Sequence, residues 1–169
     1  MALNVIARIA LSKDILDIQR LYKQGDNHHA ALLPEVFQFV DGDARDTDVI
    51  QKWIDRDDAD YLVAELDGKV VGFVNVQRNS RPQYPLFRPH EFAFIENAVV
   101  DEPHRSKGVG TLLFRAAIDW AMSRGLQHVE TTVWNANADA LRFYLDQGFH
   151  PMSTRIELDT TSVSKASAK

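Results

Sequence analysis

Residues 99–111 read VVDEPHRSKGVGT, from Val99 to Thr111. The stretch closes an apolar run, crosses a polar loop holding Pro103, and enters a glycine-bearing turn. Beyond the turn, Val109, Leu112, Leu113, Ala116, Ala117, Trp120 and Ala121 recur at three- and four-residue steps. That period predicts an amphipathic helix from Gly108 to Arg124, closed by Gly125. A strand, a tight turn and a helix start in this order gather unpaired N–H groups at one point. Such a point suits an anion of the pyrophosphate kind. Gly108 and Gly110 allow the backbone to come close to a ligand, and Arg105 and Lys107 add positive charge. The loop is not a Walker A loop, because no G-x-x-x-x-G-K-[ST] run exists. Nor is it a dinucleotide fingerprint, because Leu113 stands at the third glycine position.

Upstream, Glu91 to Val100 reads as a long strand. Downstream, Gln127 to Trp134 reads as the next, so strand, long helix and strand imply a right-handed parallel crossover. Further back, Tyr61–Leu66 and Lys69–Arg78 flank an Asp67-Gly68 pair, a strong hairpin signal. Residues 79–90 hold Pro82, Pro85 and Pro89 and read as a loop. A first strand is expected over Asn4–Ala10. A helix from a Ser12 cap to about Gln24 follows, with Gly25 as its stop. Residues 26–45 are expected to be a loop with a broken or short helical piece, and Asp48–Arg56 a second helix. A short helix over Ala138–Gln147 and a last strand over Phe149–Leu158 complete the order. The fold expected is α/β: a mixed, mostly antiparallel six- or seven-stranded sheet with helices on both faces. Residues 1–159 form one domain in this reading, and 160–169, rich in Ser, Thr, Ala and Lys, a disordered tail.

The chain has 169 residues, 45% hydrophobic and 25% charged, which is enough for one packed core without staples. No cysteine is present, so thiol nucleophiles, zinc–thiolate sites and disulfides are excluded. No histidine pair has metal-ligand spacing, and no metal is expected. A net charge of −5 argues against nucleic-acid binding. No apolar run is long enough to span a bilayer, and no signal peptide is read, so a cytoplasmic location without membrane contact is expected. Between Asp26 and Asp60, ten acidic residues face three basic ones. That region can attract a cationic partner or serve as a solvated surface.

The R-S-K-G-V-G run of residues 105–110 resembles the R/Q-x-x-G-x-G/A signature of the GCN5-related N-acetyltransferases. The strand FAFIENAVVDEPHR before it is similar to that family's fourth strand, and WNANADALRFYLDQGF to its second motif. The resemblance covers about Tyr61 to Phe149. It implies an acetyl-CoA-dependent N-acetyltransferase acting on a primary amine, and a homodimer. The cosubstrate would lie against Ala98, Val99 and Val100. The Val99 N–H would meet the thioester carbonyl oxygen. The phosphates would take Arg105, Ser106, Lys107, Gly108, Val109, Gly110 and Thr111. Asn137 would touch the cofactor arm or cap a helix. Tyr144 would protonate the departing thiolate, a phenol being the weaker acid. Glu96 would serve as base through water or as an acceptor anchor, and His28 or His29 would line the acceptor pocket. The acidic 26–60 stretch favours a cationic small molecule (a polyamine, diamine, basic amino acid or aminoglycoside) over a protein N-terminus or lysine. A non-catalytic acyl-CoA sensor is the alternative from another class.

Overall fold

The computed structural model describes residues 4–163. Strands β1 (Ile6–Ile9), β2 (Ala59–Leu66), β3 (Lys69–Ser80), β4 (Glu91–Val100) and β5 (Val129–Thr131) form one sheet in the order β1-β2-β3-β4-β5. The first three junctions are antiparallel, and only β4 and β5 run parallel. Helices α1 (Ile15–Leu32) and α2 (Thr47–Ile54) cover one face. There Ile18, Leu21, Tyr22 and Ile50 pack on Tyr61, Val63 and Phe73. Helix α3 (Val109–Ser123) covers the other. Its Val109, Leu113, Phe114, Ala117 and Trp120 pack on Leu62, Val74, Val76, Ala93 and Ile95. Phe143 of α4 (Ala138–Asp146) joins that second cluster. The alternation along β3 decides these faces, since successive residues point to opposite sides.

The mixed sheet with helices on both faces is as expected, but it has five strands rather than six or seven. The missing strand is the run over 149–158. Phe149 packs on Phe114 and Tyr144, with ring centroids 5.3 and 5.1 Å away. Residues 150–158 are then exposed and join no ladder. The run has strand-like alternation, but it has no neighbouring strand to pair with. The expected strand over 127–134 shrinks to three residues for the same reason, because β4 turns away from it after Ile95. Within the expected tail, Thr160–Val163 forms one helical turn, α5, and 164–169 lie outside the described residues.

Helix α1 does not stop at Gly25. It runs seven residues further, to Leu32. A Cβ on Gly25 would lie 3.1 Å from Val99 Cγ2, so the glycine serves close approach of α1 to β4. His28 and His29 therefore sit on the last turns of α1, not in a loop. Nor does Ser12 cap the helix. Asp14 accepts from the Leu11 N–H at 2.8 Å across a 3₁₀ turn.

Asp14 also ties the helix start to the sheet. Arg8 of β1 donates to its two carboxylate oxygens at 2.7 and 2.8 Å and to Glu65 of β2 at 2.7 Å. Burial pushes the Asp14 carboxyl up, but hydrogen bonds from Arg8 and the Leu11 N–H outweigh it and hold it below its ordinary value. A carboxyl depressed by folding stabilises the fold above its unfolded pKa, and this is lost as pH falls through the folded value. Asp14→Asn is expected to lower the unfolding free energy by about 2 kcal/mol at neutral pH, since Arg8 keeps Glu65 but loses its charge-assisted hydrogen bonds to Asp14. Urea titrations at neutral pH and near pH 3 check this. The gap between variant and wild type should narrow in acid, and a gap independent of pH would remove the ion pair from the account.

Candidate active site

The site starts from a miscount between two strands. In the β3–β4 ladder, Asn75 faces Asn97 but Val76 faces Ile95, so Glu96 is an extra residue. Such a bulge reverses which main-chain groups point to which side. Before it, the Ala93 N–H donates to the His128 carbonyl on the β5 side at 2.9 Å. After it, the Asp101 N–H donates to Val71 on the β3 side at 2.9 Å. Antiparallel pairs alternate between bonded and unbonded, so Val99, opposite Phe73, also turns its N–H to β3. The N–H and C=O of Ala98 and Val100 turn the other way, to where β5 has already left. This corrects the expectation for Val99, whose N–H is committed within the sheet.

β4 and β5 pair only over Ala93–Ile95 and Val129–Thr131. Beyond Ile95 they part, and a cleft of about 410 Å³ opens between β4, α3 and α4. Ala98, Val99, Val100, Arg105, Ser106, Gly108, Gly110, Thr111 and Tyr144 all line it. Ser106 at φ +58° and Gly108 at +83° curl the loop into α3. The first helical bond runs from the Leu112 N–H to Gly108 O at 3.0 Å. The N–H groups of Val109, Gly110 and Thr111 thus open onto the helix start. The remaining loop candidates do not line the cleft. The Val109 side chain is buried in the core beneath the loop, and Lys107 is exposed beside it. Arg105 folds back, its Nε donating to Val100 O at 3.1 Å, and so pins the end of β4.

Asn137 is the N-cap of α4, its Oδ1 accepting from the Ala140 N–H at 3.2 Å. Tyr144 is 8% exposed, its ring held edge-on by Phe143 and Phe149. Burial pushes its phenol above the ordinary value, and the Thr131 side chain opposes this as a hydrogen-bond partner. Glu96 is exposed. Its Oε1 accepts from Gln77 Nε2 at 2.6 Å, and Gln77 Oε1 accepts from Arg56 at 3.0 Å. Glu91 pairs with Arg78 at the far end of the strand.

His29 is half-buried and its imidazole is pushed down by burial and by neighbouring His28, which is exposed. His29 stacks on Phe37 at 5.3 Å, and Phe37 meets Trp134 edge-on at 5.5 Å. This aromatic strap joins the end of α1 to the loop after β5. A second cleft of about 660 Å³ lies beside it, lined by Asp26, Glu35, Phe37, Val40 and Arg45 among others. Gln77, Thr131, Phe37 and Trp134 were not singled out from the sequence. Only Gln77, a polar residue ending the run VVGFVNV of β3, left a signal there.

A model of the acetyltransferase (GNAT) family matches residues 19–149. The chain belongs to the GNAT acetyltransferase family. The GNAT chain is 32% identical over 116 residues to a streptothricin acetyltransferase of Streptomyces lavendulae, covering 69% of this chain and 57% of that one. The aligned parts span between 40 and 69% of the length of several such relatives. A mutant of the BH1408 protein from Bacillus halodurans has the same fold, with a TM-score of 0.86 at 23% identity, covering 91% of this chain and 99% of that one. An aminoglycoside N-acetyltransferase solved in complex with CoA has a TM-score of 0.71 at 18% identity, covering 95% and 97%. Among the described residues, no helix is long and apolar enough to cross a membrane, and no cluster of metal-ligating side chains occurs.

The buried phenol sets a pH dependence. A tyrosine whose ionisation is pushed up by folding stabilises the fold below about pH 10, and this is lost as pH rises further. Tyr144→Phe should therefore lose stability less steeply than wild type in alkali, and its ultraviolet titration should lack one late-ionising phenol. Equal alkaline slopes for the two proteins would mean that Tyr144 is open to solvent.

Proposed function

We propose that the chain transfers an acetyl group from acetyl-CoA to a primary amine of a small cationic molecule. The observation that carries this reading is the cleft where β4 and β5 part. It offers unpaired main-chain groups along one wall, free helix-start N–H groups at one end, and a buried phenol opposite. These features fit the three parts of acetyl-CoA. The N–H groups of Val109, Gly110 and Thr111 meet the pyrophosphate, with Lys107 nearby. The main-chain groups of Ala98 and the Val100 N–H pair with the pantetheine amides as a further strand would, the Val100 carbonyl being held by Arg105. The Ala98 N–H meets the thioester carbonyl oxygen and stabilises the charge that grows there, being already in place and requiring no reorganisation. Tyr144 gives its proton to the thiolate as the carbon–sulfur bond breaks.

Glu96, the extra residue of the bulge beside the cleft, receives the ammonium form of the acceptor and takes its proton through water. Glu35 adds a negative charge past the aromatic strap, and His29, its pKa depressed by burial, does not oppose a cation. Part of the acidic stretch does other work. Asp26 is hydrogen-bonded to Arg45, Asp58 pairs with Arg56, and Asp60 holds Arg124 and the Trp120 indole. The relatives named for streptothricin and aminoglycosides support a polyamine-like or amino-sugar acceptor. The chain is further proposed to act as a homodimer, the exposed run over 150–158 with Met152, Ile156 and Leu158 seating on a second copy.

Acetyl-CoA at 100 times its dissociation constant should add about 2.7 kcal/mol and raise the melting temperature by about 5–10 °C. Gly110→Val should abolish that shift. A Cβ at Gly110 already stands 3.5 Å from Phe143 and 3.9 Å from Val100, and valine's methyls fill the space between them. A flat melting response of the wild type would sink the reading. In a thiol-release assay over amines of varied charge, Tyr144→Phe should cut turnover about 100-fold with donor binding intact. Glu96→Gln should slow turnover most at low pH, where few amines are neutral. An effect on the Michaelis constant alone would make Glu96 an anchor. Light scattering that reports a 19 kDa particle at micromolar concentration would refute the dimer.

A further inference from the structure

β3 keeps a regular register against β2 from Phe73 to Gln77, so Phe73, Asn75 and Gln77 share the face that α1 and α2 cover. On the other side of β3, Asn97 stands opposite Asn75, and Glu96 has no partner in the ladder. Glu96 meets Gln77 through its side chain instead, Oε1 accepting from Nε2 at 2.6 Å. Gln77 Oε1 accepts in turn from Arg56 Nη2 at 3.0 Å. Arg56 follows the end of α2 and donates twice to Asp58, from Nε at 2.8 Å and from Nη2 at 2.9 Å. Its guanidinium also lies over the Trp53 ring, 4.6 Å from the centroid. Among the described residues, nothing hydrogen-bonds to Glu96 Oε2. One carboxylate oxygen is thus held and the other is open.

We infer that Gln77 is the positioning residue for Glu96, with Arg56 setting the sense of its amide. The inference rests on Glu96 receiving the acceptor amine. A primary amide carries an NH2 donor and an oxygen acceptor on one planar unit. Turned one way, Gln77 gives Glu96 a hydrogen bond. Turned the other way, it sets an oxygen against a carboxylate. A guanidinium has donors only, so Arg56 engages only the oxygen of Gln77. That leaves the NH2 for Glu96, which as a carboxylate can only accept. Arg56 is itself fixed by both oxygens of Asp58, so the sense is set from the end of α2. Glu96 is exposed, and an unheld side chain of its length spreads over several rotamers. The bond from Gln77 holds Oε1, so Oε2 meets the acceptor ammonium from one direction. Gln77 acts only through Glu96.

Gln77→Leu removes both ends of the link, whereas Gln77→Glu keeps an oxygen for Arg56 but presents only oxygens to Glu96. The assay is thiol release with the amine that the wild type acetylates fastest among polyamines, diamines and amino sugars. For Gln77→Leu, kcat/KM for that amine should fall about tenfold, the low end for a hydrogen bond to a charged group. The loss should divide between kcat and KM as it does for Glu96→Ala. Gln77→Glu should lose at least as much, because like charges push the Glu96 carboxylate from its place. It should nonetheless melt no lower than Gln77→Leu, since Arg56 keeps a partner. The melting shift with acetyl-CoA should not change in either variant, and Gln77→Leu should add nothing in a Glu96→Ala background. A Gln77→Leu enzyme with wild-type kcat and KM overturns the inference. So does a Gln77→Glu enzyme more active than Gln77→Leu, the result expected if Gln77 only braced Arg56, or additive losses in the double variant. If no amine is acetylated, or if Glu96→Ala is fully active, the role proposed for Glu96 falls and takes this inference with it. If Glu96→Ala is impaired while Gln77→Leu is not, only the inference falls.

Discussion

Glu96 is the residue by which β4 exceeds β3 across their ladder, and the cleft depends on that surplus. A regular β4 would turn its alternate main-chain groups to the same two sides throughout, and β5 would go on pairing with it. The extra residue reverses the alternation, so the main-chain groups of Ala98 and the Val100 N–H face open space, while the Val100 carbonyl takes the Arg105 side chain. A sheet interior does not tolerate unpaired donors and acceptors beyond reach of water or ligand. Here they line a cleft, so an extended molecule with alternating amides can complete the edge. The bulge thus creates a vacancy with the hydrogen-bonding pattern of a strand, and the start of α3 closes one end of it.

The rest of the architecture holds that edge in place. Arg105 reaches back to the Val100 carbonyl. Asp101, one residue further, takes hydrogen bonds from Arg20 at 3.1 Å and Gln24 at 2.8 Å, both on α1. Burial pushes the Asp101 carboxyl up, but those two partners hold it below the ordinary range. Gly25 lets α1 lie directly on Val99. Helix α1 and the end of β4 are therefore tied by polar contacts and by the Val99 side chain seated against the bare backbone of Gly25.

The elements around 91–124 were legible because several local signals agree there. An apolar run with no breaker gives β4, a helical period unbroken over four turns gives α3, and glycines mark both junctions. The Asp67-Gly68 hairpin was legible from two residues, and its positive φ values of 50° and 79° show why. Gly25 was misread because a glycine that ends a helix and one that admits a neighbour look alike in one dimension. The strand expected over 149–158 failed differently. Its alternation is real, but pairing belongs to a neighbour the sequence does not name. The bulge was invisible because Glu96 fits the alternation of an edge strand as well as any polar residue. That hid the switch from Val99 to Ala98, since main-chain direction leaves no mark in side-chain identity. Tyr144 was readable through a motif, whereas Thr131 and Gln77 touch their partners only after folding.

The two halves of the site are built from different material. One wall is main chain from Ala98 to Val100 and the helix start after Gly108, and it asks little of the residues beyond their size. The proposed acceptor side is side chains, with Glu96, Gln77, Asp26, Glu35, Phe37 and Trp134 carried on four separate segments. Sequence drift therefore acts unequally. Replacements along the first wall leave its hydrogen-bonding edge in place as long as the bulge and the glycines persist. Replacements on the second change shape and charge one residue at a time. A lineage with this layout can change what it accepts through a few point changes while its hold on the common partner stays fixed. Selection for a new acceptor would then leave its record mainly on α1, the loop after it, and the turn following β5.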